Sequence, residues 1–315
     1  ITKASRFFLE NPPACFKDNE LMTKYGGSLF IANKNQSNIV DKELKYAQSV
    51  SANVFEIDKK SVLNMVPIIK EEYLDRAIHE PDSKVMDVDL IHQGFARGLK
   101  ENNGKILFNE EAKEITKKNG LWNVITKNNK FISPILINAA GAWCDEVSIL
   151  AGCNPLNLSP KRRTVVIFEN SSNLNTSQWP VVIDIEDNFY FKSEAGNILA
   201  SPADETDSPP CDAQPEELDI AMTIDRLQNA TNFNIKKINH KWAGLRSFFP
   251  DRTPIVGEDP LKSGFYWLAG QGGYGIQTSP GISKIIECLI TGTKWPDYLS
   301  DNSITPETLS PKRKI

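Results

Sequence analysis

The sequence has no run approaching the ~18 consecutive apolar residues that a membrane-spanning helix requires. Histidine is scarce, at three residues in 315. His79, His92 and His240 lie far from one another and from any cysteine, so the ligand spacing of a structural metal site is missing. The five cysteines (Cys15, Cys144, Cys153, Cys211 and Cys288) are odd in number and scattered, with no C-x-x-C pair. That pattern reads as reduced thiols in a cytoplasmic protein, not as a disulfide frame. Clustered positive charge is also absent, and the formal net charge is -4. A nucleic-acid partner would need Lys and Arg gathered on one face. The single basic run, Lys312-Arg313-Lys314, closes a polar stretch and reads as a frayed, solvated tail over 301–315. The opening Ile1-Thr2-Lys3-Ala4-Ser5-Arg6 has neither the apolar core nor the small-residue cleavage site of a signal peptide.

What is present is ordinary for a globular chain: 40% hydrophobic and 24% charged residues, in a length that can bury one large core or two lobes. The pattern predicts a helix from Ile1 to Glu10, ended by Asn11-Pro12-Pro13 because a residue before proline is pushed out of the helical region. Strands are expected at Ser28–Ala32 and Arg76–His79, with mixed helical pattern from Asp41 to Pro67. An amphipathic helix is expected over Asp87–Asn103, with Leu90, Phe95 and Leu99 near one face. A strand at Lys105–Phe108 and a hairpin turning at Asn119-Gly120 follow. Pro134-Ile135-Leu136-Ile137-Asn138 is a short apolar run of the kind buried on both faces of a sheet. Strands dominate 161–200, and a polar loop from Ser201 to Pro215 leads to a helix at Glu216–Asn229. Strands around His240–Arg246 and Phe265–Leu268, then a helix over Pro280–Thr291, complete the pattern. Helices and buried strands at both ends, with a strand-rich middle, describe a discontinuous α/β domain interrupted by an antiparallel α+β domain.

Four clusters could carry chemistry. Strand Phe265-Tyr266-Trp267-Leu268-Ala269 runs into Gly270-Gln271-Gly272-Gly273-Tyr274-Gly275, where glycines let backbone N–H groups approach a ligand. Pro280 suits the first turn of the following helix, whose N-terminus favours an anionic group. A tight turn without a ligand is the alternative. Asn138-Ala139-Ala140-Gly141-Ala142-Trp143 is a second strand-to-helix turn of small residues, which simple helix–strand packing would also explain. In Trp242-Ala243-Gly244-Leu245-Arg246-Ser247-Phe248-Phe249, Arg246 sits among apolar and aromatic residues. An unpaired guanidinium there would be costly, so it should meet an acid of the protein or of a substrate carboxylate. Arg252, beside Asp251, reads as a solvent-facing or structural pair. Tyr190, on the strand Phe189-Tyr190-Phe191-Lys192, is either core or substrate-facing. Arg162-Arg163 reads as a solvated strand edge.

In this order, the segments Asn138–Trp143, Gly244-Leu245-Arg246, Thr253-Pro254-Ile255-Val256-Gly257 and Ala269-Gly270 through Pro280 resemble the FAD-dependent family containing D-amino-acid oxidase, glycine oxidase, sarcosine oxidase and D-amino-acid dehydrogenase. The resemblance runs from about Ile1 to Thr291. It implies a two-domain fold, with a Rossmann-like FAD domain over 1–25, 80–155 and 240–300, and an antiparallel α+β substrate domain over 26–79 and 156–239. It implies oxidation of a small amine or amino acid to an imine by hydride transfer to the flavin. Arg246 matches the family's substrate-carboxylate arginine and Tyr190 a substrate-binding tyrosine. The cofactor-facing positions would be Ala140, Gly141, Trp143, Gly257, Gly270, Gln271, Gly272, Gly273, Tyr274 and Gly275. The same fold also serves oxidation of 2-hydroxy acids, and a non-catalytic fragment or paralogue without FAD is a further alternative.

Three departures from the family pattern stand out. Gly273 stands where the glycine oxidase branch carries a second arginine. The family's Pro-x-Arg-Gly reads Pro160-Lys161-Arg162-Arg163 here. The family's opening strand, G-x-G-x-x-G turn and helix, which seat the flavin pyrophosphate, do not appear at the start of the chain. The expectation is therefore that the chain as given will not hold FAD in the family's usual way, and that the parallel sheet will have a gap, relieved by self-association or rearrangement. Its absorption spectrum checks this. A colourless or sub-stoichiometrically yellow protein is expected, with flavin recovered when an upstream strand, turn and helix are supplied; a stoichiometric flavin spectrum would overturn it.

Overall fold

The computed structural model describes residues 1–17, 20–170 and 174–313. In chain order the helices are α1 (Thr2–Glu10), α2 (Ser37–Val50), α3 (Lys59–Met65), α4 (Val88–Glu101), α5 (Cys144–Leu150), α6 (Glu217–Ala230), α7 (Gly275–Thr291) and α8 (Asp297–Ser300). The strands are β1 (Met22–Thr23), β2 (Ser28–Ala32), β3 (Phe55–Ile57), β4 (Arg76–Glu80), β5 (Val85–Met86), β6 (Glu114–Lys118), β7 (Leu121–Ile125), β8 (Lys130–Ser133) and β9 (Leu136–Asn138). They continue with β10 (Ser159–Phe168), β11 (Val181–Asp184), β12 (Tyr190–Glu194), β13 (Asn197–Ser201), β14 (Thr206–Asp207), β15 (Ile238–Phe248), β16 (Ile255–Glu258) and β17 (Phe265–Ala269). No helix among the described residues is long and apolar enough to cross a membrane.

The large sheet runs β14-β10-β13-β12-β11-β2-β4-β3, with β15 also paired to β10. It is antiparallel except where β11 runs parallel to β2. One of its faces buries Leu29, Val166, Phe168, Val182, Phe191 and Ile198 against α3 and α6, which contribute Val62, Ile220 and Leu227. A second core gathers Trp122, Cys144, Phe249, Phe265 and Trp267 around the sheet β16-β17-β9. On the other side of β16 and β17, Val256 and Tyr266 pack with Ala4 of α1 and Ile282 and Ile285 of α7. β9 and β17 are parallel, in the register Leu136↔Phe265 to Asn138↔Trp267.

The β11–β12 hairpin is tied down by one buried carboxylate. Asp184 accepts from Gln36 Nε2 (2.9 Å), Tyr73 OH (3.2 Å), the Glu186 N–H (3.1 Å), the Asn188 N–H (3.2 Å) and Asn188 Nδ2 (2.9 Å). A buried carboxylate is tolerated when its lone pairs are satisfied in this way. Burial, with Asp184 beside it, pushes the Tyr73 hydroxyl up to about 12.

Several expectations need correction. Lys105–Phe108 is not a strand: it pairs with nothing in the described sheets, and Phe108 is 81% exposed. β9 pairs only with β17 among the described residues, and its Ile137 is 43% exposed, so it is not buried on both faces. α4 buries Ile91 and Gly94 most deeply, while Leu99 is exposed. Gly94 is there because the Phe16 ring lies 2.1 Å from where its Cβ would be. α7 starts at Gly275, so Pro280 lies inside the helix. Proline cannot donate to the carbonyl four residues back; that carbonyl, Ile276 O, instead accepts from Ser279 Oγ at 2.8 Å. The Gly281 N–H goes to Ser5 Oγ of α1 at 3.0 Å.

The 301–313 stretch is not a frayed tail. Ile304 and Leu309 are buried, and Leu309 O accepts from the Val256 N–H at 2.8 Å.

Burial raises the thiols of Cys144 and Cys153 to about 12 each, whereas Cys211 is exposed. Because the thiolate is the reactive form, iodoacetamide at about pH 8 should modify Cys211 in the folded protein and reach Cys144 and Cys153 only on unfolding. Mass mapping of labelled peptides checks this, and rapid native labelling of Cys144 would contradict the packing described.

Candidate active site

The pairing of β10 with β15 builds the site. Lys161 faces Arg246, Arg162 faces Leu245 and Arg163 faces Gly244. Successive strand residues point to opposite sides of a sheet, so Arg162 and Arg163 separate. Arg162 turns to α6, 3.0 Å from Asp219 and bonded to Glu216. Arg163 shares the other face with Arg246. Neither is a solvated edge residue, since β10 is flanked by β14, β13 and β15.

On that shared face, Arg163 Nε donates to Asp204 O at 2.8 Å, and its guanidinium lies 6.0 Å from the centre of the Tyr190 ring. Arg163 Nη2 stands 3.6 Å and Arg246 Nη1 3.8 Å from the same Glu205 oxygen. Arg252 grips Glu205 with both terminal nitrogens and stacks 4.6 Å from the Phe248 ring centre. Arg252 is thus a structural pair, with Glu205 as its partner and not the adjacent Asp251. The Arg252 hydrogen bond holds the Glu205 carboxyl below its usual range. Asp187, on the β11–β12 turn, is pushed up by burial, although Arg163 and Arg246 pull the other way. Burial, then neighbouring Arg163, lowers the pKa of Arg246.

Arg246 Nη1 is buried and, among the described residues, has no hydrogen-bond partner. Its guanidinium occupies the space that a side chain at residue 273 would take: a Cβ on Gly273 would lie 1.9 Å from Arg246 Nη2. A Cβ on Gly244, beside Arg163 on the same face, would meet nothing within 4 Å. Arg163 and Arg246 thus share one face with Gly244, and Arg246, with its unsatisfied donor, packs against the glycine turn. A buried unpaired donor costs about 1–3 kcal/mol, and a ligand carboxylate would remove that cost.

The turn itself follows from local sterics. Gly270 and Gly272 have φ of +76° and +55°, and Cβ atoms there would strike the rings of Phe249 and Phe248 at 2.4 Å each. The Gly272 N–H donates to Ser247 O at 2.9 Å, joining the turn to β15. Gln271 O accepts from the Tyr274 N–H at 3.0 Å, and Tyr274 then leads into α7, which no side chain caps. Across the parallel pair, β9 runs on into a turn at Ala140 and Gly141, the latter at φ +59° with open space where its Cβ would be. Trp143 follows, partly exposed. Two parallel strands ending side by side in small-residue turns form the crevice where open α/β sheets bind ligands. Gly257 stands apart. It is buried in β16, with Pro311 Cδ 2.9 Å from its missing Cβ.

A cleft of about 840 Å³, lined among others by Lys3, Arg6, Glu80, Lys84 and Gln277, contains none of the Arg246 cluster but reaches the first turns of α7. Among the described residues no group of His, Cys, Asp and Glu could hold a metal.

The family model described as DAO, FAD dependent oxidoreductase, matches residues 16–289. The chain belongs to this family of FAD-dependent oxidoreductases. It is 29% identical over 178 residues to FAD-dependent oxidoreductase domain-containing protein 1 of Xenopus laevis, covering 50% of this chain and 34% of that one. The chain therefore spans about a third of this relative's length. Among solved structures it superposes on glycine oxidase from Geobacillus kaustophilus with a TM-score of 0.83 at 16% identity, covering 99% of this chain and 82% of that chain. The corresponding values for L-α-glycerophosphate oxidase from Mycoplasma pneumoniae, solved with FAD bound, are 0.78, 19%, 93% and 79%. These likenesses establish the fold.

The residues present fit the ring end of the family's cofactor. Gly141 leaves open space where a side chain would stand, and the α7 N-terminus, which no side chain caps, would offer donors to an electron-rich group. Sequence reading missed Arg163, Asp187 and Glu205. The signal that could have found the first two was alternation along β10 and the place of Asp187 in the turn just ahead of Tyr190; Glu205, in a polar loop, carried none. Gly273→Ala is compatible with the backbone but must displace Arg246, so carboxylate affinity should fall about tenfold with little change in melting temperature. Unchanged affinity in an equilibrium titration would show that Arg246 can move aside freely.

Proposed function

We propose that this flavoenzyme oxidises a small amine or amino acid bearing a carboxylate to the imine, with FAD as the acceptor. The observation that carries the reading is Arg246, whose buried Nη1 makes no hydrogen bond among the described residues and stands 3.8 Å from Glu205. Flavin, when bound, supplies the two-electron acceptor. The chain's own residues do the rest. Arg246 takes the substrate carboxylate, with Arg163 on the other side of Gly244, which fixes the Cα–H relative to the glycine turn. Orientation of this kind lowers a barrier by several kcal/mol.

Loss of hydride from carbon requires the nitrogen lone pair, so the amine must react in its neutral form. Three guanidiniums around the pocket (Arg163, Arg246 and Arg252) against Glu205 and Asp187 disfavour a second cation, and so favour loss of the ammonium proton to solvent without a dedicated base. Tyr190, beside Arg163, contacts the substrate without exchanging protons. With flavin bound, the α7 N-terminus, which no side chain caps, would offer donors to the negative charge gained on reduction. The glycine oxidase likeness agrees with an amine substrate. The L-α-glycerophosphate oxidase likeness keeps a hydroxy substrate as a competitor, and parallel assays of amino acids and matched 2-hydroxy acids discriminate the two.

In flavin-loaded protein, Arg246→Ala should weaken carboxylate inhibitors by one to two decades, or about 1.5–3 kcal/mol, without loss of flavin. Unchanged inhibition constants would remove Arg246 from the site. Tyr190→Phe should raise KM at nearly constant kcat, which marks loss of uniform binding. A large fall in kcat would instead assign Tyr190 to proton transfer, and no kinetic change would assign it to the core.

A further inference from the structure

The segment from Ile304 to Arg313 crosses back over β16 as a strap, with Leu309 buried and Pro311 packed on Gly257. Arg313 ends it with a side chain only 13% exposed. Its Nε donates to Asp251 Oδ2 at 2.9 Å, its Nη2 to Thr253 O at 2.5 Å and its Nη1 to Pro254 O at 3.1 Å. All three acceptors lie on the turn that carries Arg252. That residue has φ of +55°, a left-handed conformation that costs a non-glycine residue energy and persists only when its surroundings hold it.

Arg252 in turn holds Glu205 by both carboxylate oxygens. The oxygen shared with the site arginines therefore stays 3.6 Å from Arg163 and 3.8 Å from Arg246, beyond hydrogen-bond reach.

We propose that Arg313 and Arg252 are positioning residues for carboxylate recognition: the strap holds the turn, the Arg252 fork holds Glu205 back, and Arg246 keeps an unpaired donor for the ligand. The inference rests on the reading of Arg246 as the carboxylate anchor. Without the fork, Glu205 closes the last few tenths of an ångström onto Arg246 and Arg163. It then occupies their donors as an internal competitor, at an effective concentration that free ligand does not match.

The test uses the full chain with propionate as the probe and propionamide as the uncharged control, both titrated by calorimetry or by NMR saturation transfer. Arg313→Ala and Arg252→Ala should each weaken propionate about tenfold and leave propionamide unchanged. Adding Glu205→Gln to either variant should bring propionate affinity back to that of Glu205→Gln alone, because the competitor is gone. Arg252 is 54% exposed and outside the strap, so its variant serves even if Arg313→Ala fails to fold.

Two results would overturn the proposal while leaving the anchor standing: wild-type propionate affinity in both arginine variants, or a loss that persists undiminished with Glu205→Gln. Absence of propionate binding to the wild type, or full binding to Arg246→Ala, would overturn the anchor reading and this inference with it.

Discussion

Between Ser159–Phe168 and Ile238–Phe248, two strands run antiparallel for almost their whole length, with a single irregularity near Ile167 and Phe168. That pairing decides which of two consecutive arginines reaches the site. A slip of one residue would turn every side chain to the opposite face, sending Arg163 toward α6 and Arg162 toward Glu205. The slip is opposed by the buried pairing of Arg162 with Asp219 and by Thr164, whose hydroxyl bonds to Asp204 and Asp219. Uncompensated charges left by such a shift would cost several kcal/mol. The polar interior under α6 lies across the sheet from Arg163 and Arg246, yet it determines which arginine of β10 joins Arg246.

The charge balance of that face is the second constraint. Three guanidiniums stand near two carboxylates, one of which, Asp187, is disfavoured as an anion by its own burial. The excess is positive and partly desolvated, so attraction for an anion is stronger there than on an open surface. The Asp184 knot holds the hairpin that carries both Asp187 and Tyr190, so these groups face the arginines from a preorganised frame. Preorganised polar groups need little rearrangement when charge shifts during reaction.

How much of this could be read beforehand follows from which signals are local. The glycine turn and the parallel strand ahead of it were legible because apolar runs and glycine clusters act over a few residues. Arg246 was legible as a lone cation among aromatics. The strand expected at Lys105–Phe108 has the right composition, but a strand exists only if a neighbour pairs with it. Pro280 was placed at a helix start by its usual preference, whereas here a serine side chain and a cross-helix bond accommodate it inside the helix. The pairing of Glu205 with Arg252 and of Arg313 with Asp251 was invisible, since the partners lie 47 and 62 positions apart. Nothing short-range in a sequence marks such pairs.

The serine bridge between the first and seventh helices has a mechanical consequence. Ser5 Oγ donates to Ile1 O at 3.1 Å and accepts from the Gly281 N–H at 3.0 Å, while Ser5 is fully buried. Sliding α1 along α7 would break the bond to Gly281 and move Ser5 Oγ and Ile1 Cγ2 out of the space beside that residue, where a Cβ would meet them at 2.8 and 3.0 Å. Shear between packed helices, a common low-energy motion in domains of this size, is thus suppressed at this contact. The contact therefore couples the positions of α1 and α7 along their axes.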